Sequence, residues 1–147
     1  MILSRDLAKK AQRRESITIQ PKEKLTGIKA TLTIKNYLGG YYYFTCDEVE
    51  IDKRNVYLIE GKHTETANLP SLGDIKDGLL KMILFTNLQD VKIAEKDYNP
   101  IPILKLTTGR GFNTKLLKES GKELLDLLKK EAQSNGFRVL INDRFLV

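Results

Sequence analysis

The sequence predicts a fold of the α/β (α+β) class, with a mixed central β-sheet flanked by helices. Segments rich in β-branched and aromatic residues alternate with segments in which leucine and isoleucine recur at helical spacing. No internal repeat, low-complexity tract or linker rich in proline and serine interrupts this order. We therefore expect a single domain that covers residues 1–147.

The composition is that of a globular chain, with 41% hydrophobic and 30% charged residues. No apolar run approaches the roughly 18 residues that span a bilayer, so we expect no membrane segment. The single cysteine, Cys46, excludes an internal disulfide and suits a reducing, cytoplasmic compartment. One cysteine and one histidine are too few for the usual structural zinc site.

The charge balance points to a class of partner. The formal net charge is +6, from 25 basic and 19 acidic residues. A surplus of this kind favours a polyanionic partner, of which nucleic acid is the commonest. A charge that serves only solubility is the alternative, and the total alone does not separate the two.

The first predicted element is an amphipathic helix over residues 2–15, where Leu3, Leu7 and Ala11 share one side. The rest of its circumference is basic and carries Lys9, Lys10, Arg13 and Arg14. These four side chains either follow the phosphates of a nucleic acid or form an ordinary solvated helix face.

Three strands follow this helix in the prediction. The runs IKATLTIKNYL and YYYFTCDEVEI lie on either side of Gly39-Gly40, which predicts a tight hairpin between residues 27 and 51. The tyrosines at 41–43 either stack on bases or, as the favoured interpretation, pack in the core of a central strand. The run VYLIEGKHT predicts a third strand after a charged turn at residues 52–55.

A helix is predicted next, because Pro70 is followed by Ser71 and Asp74, either of which can cap a helix start. Its apolar stripe consists of Ile75, Leu79, Met82 and Ile83, widened by Leu80, Leu84 and Phe85. So broad a stripe predicts a helix that is buried against the sheet.

The last third of the chain predicts two strands, a helix and a final strand. The strands are VKIAEKD and PIPILKLTT, the second with prolines typical of a strand start or edge. The helix is expected over residues 121–133, with a capping box formed by Ser120 and Glu123 and a stop at Asn135-Gly136. Its buried stripe is expected to contain Leu124, Leu125, Leu127 and Leu128. The run FRVLI forms the last strand.

The second predicted hairpin, CDEVEIDKRNVYLIEGKH, ends in charged residues that alternation places on one face. With a turn at residues 53–54, its two strands pair so that Asp47 lies opposite Glu60. Lys62 is two residues beyond Glu60 and shares its face, and the register favours Asp47 over Glu48. Two carboxylates and an ammonium group are therefore expected to converge at one end of an otherwise apolar face.

Two carboxylates placed opposite each other repel unless a cation lies between them. Such a site suits Mg²⁺, with Mn²⁺ as a substitute, since Mg²⁺ binds a few carboxylates together with water and phosphate oxygens. Lys62 would then orient or deprotonate a water, or stabilise charge on a phosphate. The alternative is a salt-bridged strand end, in which Lys62 neutralises Asp47 and Glu60.

An acid late in one strand, a short turn and an apolar strand that ends in Glu60-Gly61-Lys62 resemble the PD-(D/E)xK nuclease superfamily. The stretch IEGKHT followed by LPSLGDIKDGLLKMILFTNL is similar to its restriction-endonuclease members. The resemblance covers residues 1–95 and implies a restriction-endonuclease-like core of order α-β-β-β-α-β. It also implies that Asp47 and Glu60 bind Mg²⁺ while Lys62 assists the attacking water.

Some residues depart from the family pattern or extend it. Cys46 stands where the family has its proline, at a variable position. The family often adds an acid on its first helix, for which Glu15 is the candidate, and a surface glutamate without function is the alternative. The acid-x-Lys string recurs at residues 74–76 and 90–92, so the strand context, not the string, carries the inference.

The resemblance implies a Mg²⁺-dependent endonuclease that hydrolyses DNA phosphodiester bonds, namely a type II restriction endonuclease or its catalytic domain. Arg110, in the glycine-punctuated loop TGRGFN, is a candidate contact to the DNA backbone, with an ordinary loop as the alternative. Cuts on opposite strands of a symmetric site would favour a two-fold homodimer. The alternative function is a non-catalytic nucleic-acid-binding module that keeps a nuclease-like fold.

Overall fold

The computed structural model describes residues 15–18, 28–35 and 38–147. Their helices and strands form a mixed α+β arrangement, as the predicted fold class requires. The chain divides into two compact units. The first contains the described residues up to Leu58 together with Asn87–Ile101, and the second contains Ile59–Thr86 and Pro102–Val147. The single domain expected over residues 1–147 stays a prediction.

The first unit is built from strands. They are β1 (Glu15–Thr18), β2 (Ile28–Lys35), β3 (Tyr41–Asp52), the start of β4 (Asn55–Thr64), β5 (Lys92–Ile93), β6 (Lys96–Asp97) and the start of β7 (Asn99–Thr108). Within this unit the strand order is β6-β5-β1-β2-β3-β4. Strand β2 pairs antiparallel with both β1 and β3, which confirms the predicted hairpin between residues 27 and 51. Gly39 in its loop has a φ of 86°, which glycine adopts without strain.

Strand β1 replaces the predicted end of the N-terminal helix. Glu15 is the first residue of β1 and pairs with Ile34 of β2, so the helical placement of Glu15 was wrong. The segment ESIT contains the β-branched residues Ile17 and Thr18, which favour extended backbone. The rest of the predicted helix, residues 2–14, lies outside the described residues.

The run VKIAEKD, predicted as one strand, forms the two short strands β5 and β6. Ala94 and Glu95 lie between them at φ 48° and 65°. Two successive residues in the left-handed region reverse the chain in the manner of a type I′ hairpin turn. Alanine and glutamate do not carry the usual Asn-Gly signal of that turn, so the sequence did not indicate it.

The second unit combines a sheet with helices. It contains the remainder of β4 and β7, helix α1 (Leu72–Thr86), a 3-10 turn (Thr114–Leu116), helix α2 (Glu119–Asn135), β8 (Arg138–Ile141) and β9 (Arg144–Phe145). Within this unit the strand order is β4-β7-β8-β9. Strands β7 and β8 are parallel, and α2 supplies the long crossover that a parallel pair requires. Their register pairs Leu104 with Val139 and Leu106 with Ile141, and all four side chains are buried.

Of the two residues predicted as possible N-caps of helix α1, Ser71 and Asp74, the structure selects one. The Ser71 Oγ accepts a hydrogen bond from the Asp74 backbone N–H at 3.1 Å and donates to Asp74 Oδ2 at 2.8 Å, so Ser71 is the cap. The predicted apolar stripe is only partly buried, because Leu80 and Ile83 are 66% and 56% exposed. The buried residues of α1 are Ile75, Gly78, Met82 and Phe85.

Helix α2 begins two residues earlier than predicted. Lys118 precedes its first turn and makes no side-chain capping bond, so the predicted capping box of Ser120 and Glu123 was wrong. Ser120 lies inside the first turn of a helix that starts at Glu119. A side chain inside the helix cannot accept the bonds of the helix start in the way that an N-cap residue does.

Helix α2 ends where the sequence predicts. Gly136 has a φ of 75° and its N–H donates to the Ala132 carbonyl at 2.9 Å, which confirms the predicted stop. The leucine stripe is narrower than expected, since Leu125 and Leu128 are buried but Leu127 is 62% exposed. None of the helices in the described part of the chain is long and apolar enough to cross a membrane.

Candidate functional site

Strand β4 carries Glu60 and Lys62, the charged pair that the sequence singles out. Glu60 is only 6% exposed, which is unusual for a glutamate. The Lys62 Nζ lies 3.4 Å from the Glu60 Oε1, as expected for side chains two positions apart on one face of a strand. Both residues belong to the second unit.

The ion pair is largely shielded from water. The side chains of Glu60 and Lys62 are 8% and 23% exposed. A buried carboxylate needs a compensating charge, and the ammonium group of Lys62 supplies one. The carboxylate oxygens of Glu60 are also the hard donors that Mg²⁺ prefers. Glu60 could therefore serve as one ligand of a magnesium ion, with Lys62 beside it.

Helix α1 lies beside Lys62 of this pair at Gly78. A Cβ built on Gly78 would lie 2.5 Å from the Leu104 Cδ1, closer than any real side-chain carbon comes. The same Cβ would lie 3.6 and 3.7 Å from Cγ and Cε of Lys62. Because residue 78 has no side chain, the helix backbone can lie against both Leu104 and the methylene chain of Lys62.

Sequence reasoning did not single out Gly78. A signal was present, however, because glycine within a helical run is less favourable than alanine by about 1 kcal/mol. A glycine kept inside a helix in spite of this cost can have a packing reason. What the sequence did not show is which side chain the helix would meet there.

The opposite face of β4 carries His63, as alternation predicts. Its Nδ1 lies 2.8 Å from the Thr107 Oγ1 on β7, and its Nε2 lies 3.0 Å from Glu65 Oε1. The His63 and Glu65 side chains are 50% and 81% exposed. The bond to Thr107 connects the ends of β4 and β7, and neither bond of His63 involves Glu60 or Lys62.

The loop that contains Arg110 is attached to the end of β4. The Gly109 N–H donates to the Thr64 carbonyl at 2.8 Å, and a Cβ on Gly109 would lie 2.8 Å from the Glu65 carbonyl oxygen. Arg110 follows this tight contact and is exposed. Since Thr64 is only two residues beyond Lys62, the structure brings a second cation to the same end of β4.

Asp47 and Glu48 lie on β3 in the first unit. The turn between β3 and β4 has two residues, Lys53 and Arg54, as the predicted register requires. However, the pairing of β3 with β2 shifts between Cys46 and Val49, and both of these residues are buried although they are three positions apart. Strict alternation, on which the preference for Asp47 over Glu48 depended, is therefore broken between them.

The exposure of the two acids differs at this irregularity. Asp47 is exposed, whereas Glu48 is half-buried. The Cys46 thiol lies 3.1 Å from the Glu48 carbonyl oxygen, within the same irregular stretch. The predicted position of Asp47 opposite Glu60 stays a prediction.

The other predicted site residues are only partly described. The backbone of Glu15 belongs to β1 in the first unit. Lys9, Lys10, Arg13 and Arg14 lie outside the described residues.

The two other acid-x-Lys strings have a different local structure. Residues 74–76 lie in the first turn of α1, where side chains two positions apart do not face each other. Residues 90–92 include Asp90, which has a φ of 53°, and lead into the short strand β5. The string on β4 thus differs from both in being extended, with its acid and lysine on the same face.

The tyrosines at 41–43 were expected mainly in the core, and that expectation was wrong. Tyr41, Tyr42 and Tyr43 are 49%, 53% and 67% exposed. The rings of Tyr41 and Tyr43 lie on one side of β3, with centroids 6.3 Å apart. Aromatic enrichment predicted the strand correctly but did not predict on which side of it a covering layer would lie.

Within the described residues, no group of three or more histidine, cysteine, aspartate or glutamate side chains is arranged to hold a metal ion. The sequence predicts two carboxylates, completed by water and phosphate oxygens, which is fewer than such a group. No protein-family model matches the chain, and no curated protein or solved structure is significantly similar to it.

Proposed function

We propose that the protein is a Mg²⁺-dependent endonuclease that hydrolyses DNA phosphodiester bonds and has a restriction-endonuclease-like core. The observation that carries this proposal is the nearly buried carboxylate of Glu60, paired at 3.4 Å with Lys62 on the same strand. The proposal is also supported by helix α1, which lies beside that lysine at Gly78. The second acid is Asp47, the residue that the sequence register supplies.

Each residue has a separate role in this proposal. Glu60 and Asp47 would hold Mg²⁺, or Mn²⁺ in its place, through carboxylate oxygens. When bound, the ion would polarise the phosphate and make a coordinated water more acidic. The ammonium group of Lys62 donates hydrogen bonds, so it would orient the attacking water and stabilise charge that develops on the phosphate.

Two cations at one end of β4 support a nucleic-acid substrate. Arg110 and Lys62 are both cationic and lie towards the same end of β4. The whole chain carries a net charge of +6. Contacts between such cations and phosphates give affinity without sequence preference. We further propose that a two-fold homodimer makes the paired cuts of a restriction endonuclease.

Cleavage of supercoiled plasmid DNA in the presence of Mg²⁺ tests the proposal. The variants Glu60→Gln and Lys62→Met remove one charge each and nearly preserve shape. We expect each to lower the cleavage rate by about a hundredfold or more, because each group acts on the reacting phosphate or its water. Lys76→Met is the matched control, since Lys76 ends an acid-x-Lys string in a helix and is exposed.

Thermal unfolding monitored by circular dichroism shows whether each variant is folded. If folded Glu60→Gln and Lys62→Met proteins cut plasmid DNA as fast as the unchanged protein, the nuclease proposal is wrong. Equal losses in Lys76→Met would also contradict it, because that lysine is not beside Glu60.

A non-catalytic nucleic-acid-binding module is the second candidate. The ion pair itself favours it, because Lys62 already neutralises Glu60 without any metal. In that case the unchanged protein would bind DNA with a strong dependence on salt but would not cut it with either Mg²⁺ or Mn²⁺.

A further inference from the structure

Gly78 is the point at which helix α1 meets the ion pair of β4. A Cβ placed on Gly78 would lie 2.5 Å from Leu104 Cδ1, so no larger residue fits while Leu104 keeps its place. Leu104 is fully buried and pairs with Val139 in the centre of the sheet. Its side chain therefore has little room to move aside. A larger residue at position 78 would therefore tend to hold α1 further from the sheet.

Residue 78 also lies beside the side chain of Lys62. Its Cγ and Cε lie 3.6 and 3.7 Å from the Cβ position of residue 78, within ordinary van der Waals range of any atom placed there. A lysine side chain has several rotatable bonds and is flexible when it is exposed to solvent. Here its methylene chain passes the helix backbone at Gly78, and its ammonium group ends 3.4 Å from Glu60.

We propose that Gly78 is a positioning residue for Lys62. By letting α1 lie close to the sheet, Gly78 confines the methylene chain of Lys62 and directs its ammonium group onto Glu60. The catalytic meaning of this inference rests on the proposed function, but the contact itself does not. A helix held further from the sheet would leave Lys62 free to turn towards solvent.

Helix α1 offers a matched control in Gly73. A Cβ on Gly73 would meet only the Ser71 Oγ, at 3.8 Å, and Gly73 is exposed. Gly73→Ala and Gly78→Ala are thus the same substitution in the same helix, and only the second one touches Leu104 and Lys62. Gly78→Ala combined with Leu104→Val relieves the close contact, since valine has no atom at the position of the leucine Cδ1.

The environment of Lys62 can be measured without DNA or metal. Reductive methylation with ¹³C-formaldehyde keeps the charge of lysines and gives each one an NMR signal, and the signal of Lys62 is assigned by its loss in Lys62→Arg. We expect Gly78→Ala to move this signal towards that of an exposed lysine and to lower the cleavage rate by about tenfold to a hundredfold. Gly73→Ala should change neither, and Gly78→Ala/Leu104→Val should restore both.

A further double variant keeps the test decisive if Gly78→Ala alone does not fold. Gly78→Val/Leu104→Ala conserves the number of side-chain carbons but moves them from the sheet to the helix, beside Lys62. We expect it to displace the Lys62 signal, in contrast to Gly78→Ala/Leu104→Val.

Two results would overturn the inference: an unmoved Lys62 signal in folded Gly78→Ala or Gly78→Val/Leu104→Ala protein, or an equal movement in Gly73→Ala. An unchanged protein that cuts no DNA, but whose Lys62 signal responds as expected, would overturn the proposed function and leave the positioning role supported.

Discussion

Asn142 connects the turn between β8 and β9 to the end of β7. Its Oδ1 accepts a hydrogen bond from the Thr108 backbone N–H at 3.0 Å, and its Nδ2 donates to Thr108 Oγ1 at 3.2 Å. The Asn142 N–H donates to the Leu106 carbonyl at 2.8 Å, and its φ is 49°. Asparagine is among the few residues that tolerate this backbone region while bonding locally. The residue thus holds the strand end from which the Arg110 loop begins.

Substitution of Asn142 separates the side-chain bonds from the backbone conformation. Asn142→Gly removes the bonds to Thr108 but accepts the positive φ, whereas Asn142→Ala also adds backbone strain. We expect Gly to lower the free energy of unfolding by about 1–2 kcal/mol and Ala to lower it by about 1 kcal/mol more. Urea denaturation followed by circular dichroism measures both, and equal stability of the two variants would contradict the role of the φ angle.

Among single residues, those governed by alternation alone were predictable. Glu60 and Lys62 share a face because side chains two positions apart on a regular strand point the same way, and the structure pairs them at 3.4 Å. Which of Asp47 and Glu48 lies on the same face as Glu60 depends on the irregular pairing after Cys46. No local residue pattern predicted that irregularity. Gly78 was missed because its meaning depends on Leu104, which lies far from it in the sequence.

At the scale of the element, the two helices begin in different ways. Ser71 caps α1 with its hydroxyl group, whereas the residue before α2, Lys118, contributes no side-chain bond. We therefore expect Ser71→Ala to lower the free energy of unfolding by about 1 kcal/mol. Ser120→Ala, within the first turn of α2, should be neutral or slightly stabilising because alanine is the better helix former.

Thermal or urea unfolding under identical conditions measures the free energy of unfolding of Ser71→Ala and Ser120→Ala. A larger loss in Ser120→Ala than in Ser71→Ala would show that the sequence-predicted capping box forms in solution, contrary to the structure. Helical periodicity located both helices, but it did not decide between Ser120 and Lys118 at a boundary. Cap positions depend on how the preceding chain enters the helix, which periodicity does not report.

The sequence predicted which elements have a buried face but not how wide each buried face is. The stripes of α1 and α2 were predicted too wide, because Leu80, Ile83 and Leu127 are exposed. The width of a buried stripe is set by how closely the neighbouring elements approach, which is a property of tertiary packing. For the same reason the tyrosines of β3 were assigned to the core, although the strand itself was correctly placed.

At the scale of the whole molecule, the charge surplus predicts a salt-dependent association with DNA. Each phosphate contact contributes about one unit to the slope of log affinity against log salt concentration. We expect Arg110→Ala to weaken binding to all DNA sequences alike and to reduce this slope by about one. Fluorescence anisotropy in the absence of divalent metal, over a series of salt concentrations, measures the slope.

Lys130→Ala is the control for this measurement. Lys130 is an exposed cation on α2, so its removal changes the net charge by the same amount without altering the loop attached to β4. An equal reduction of the slope in both variants would mean that Arg110 acts through net charge and not through a contact of its own.

The two compact units alternate along the chain. The chain leaves the first unit after Leu58, returns to it at Asn87 and leaves it again after Ile101. No single truncation can therefore yield either unit without residues of the other. During synthesis every residue of the first unit has been made once Ile101 is in place, whereas the second still lacks β8, the parallel partner of β7. The half of β4 that carries Glu60 and Lys62 is thus synthesised long before the strands that complete its sheet.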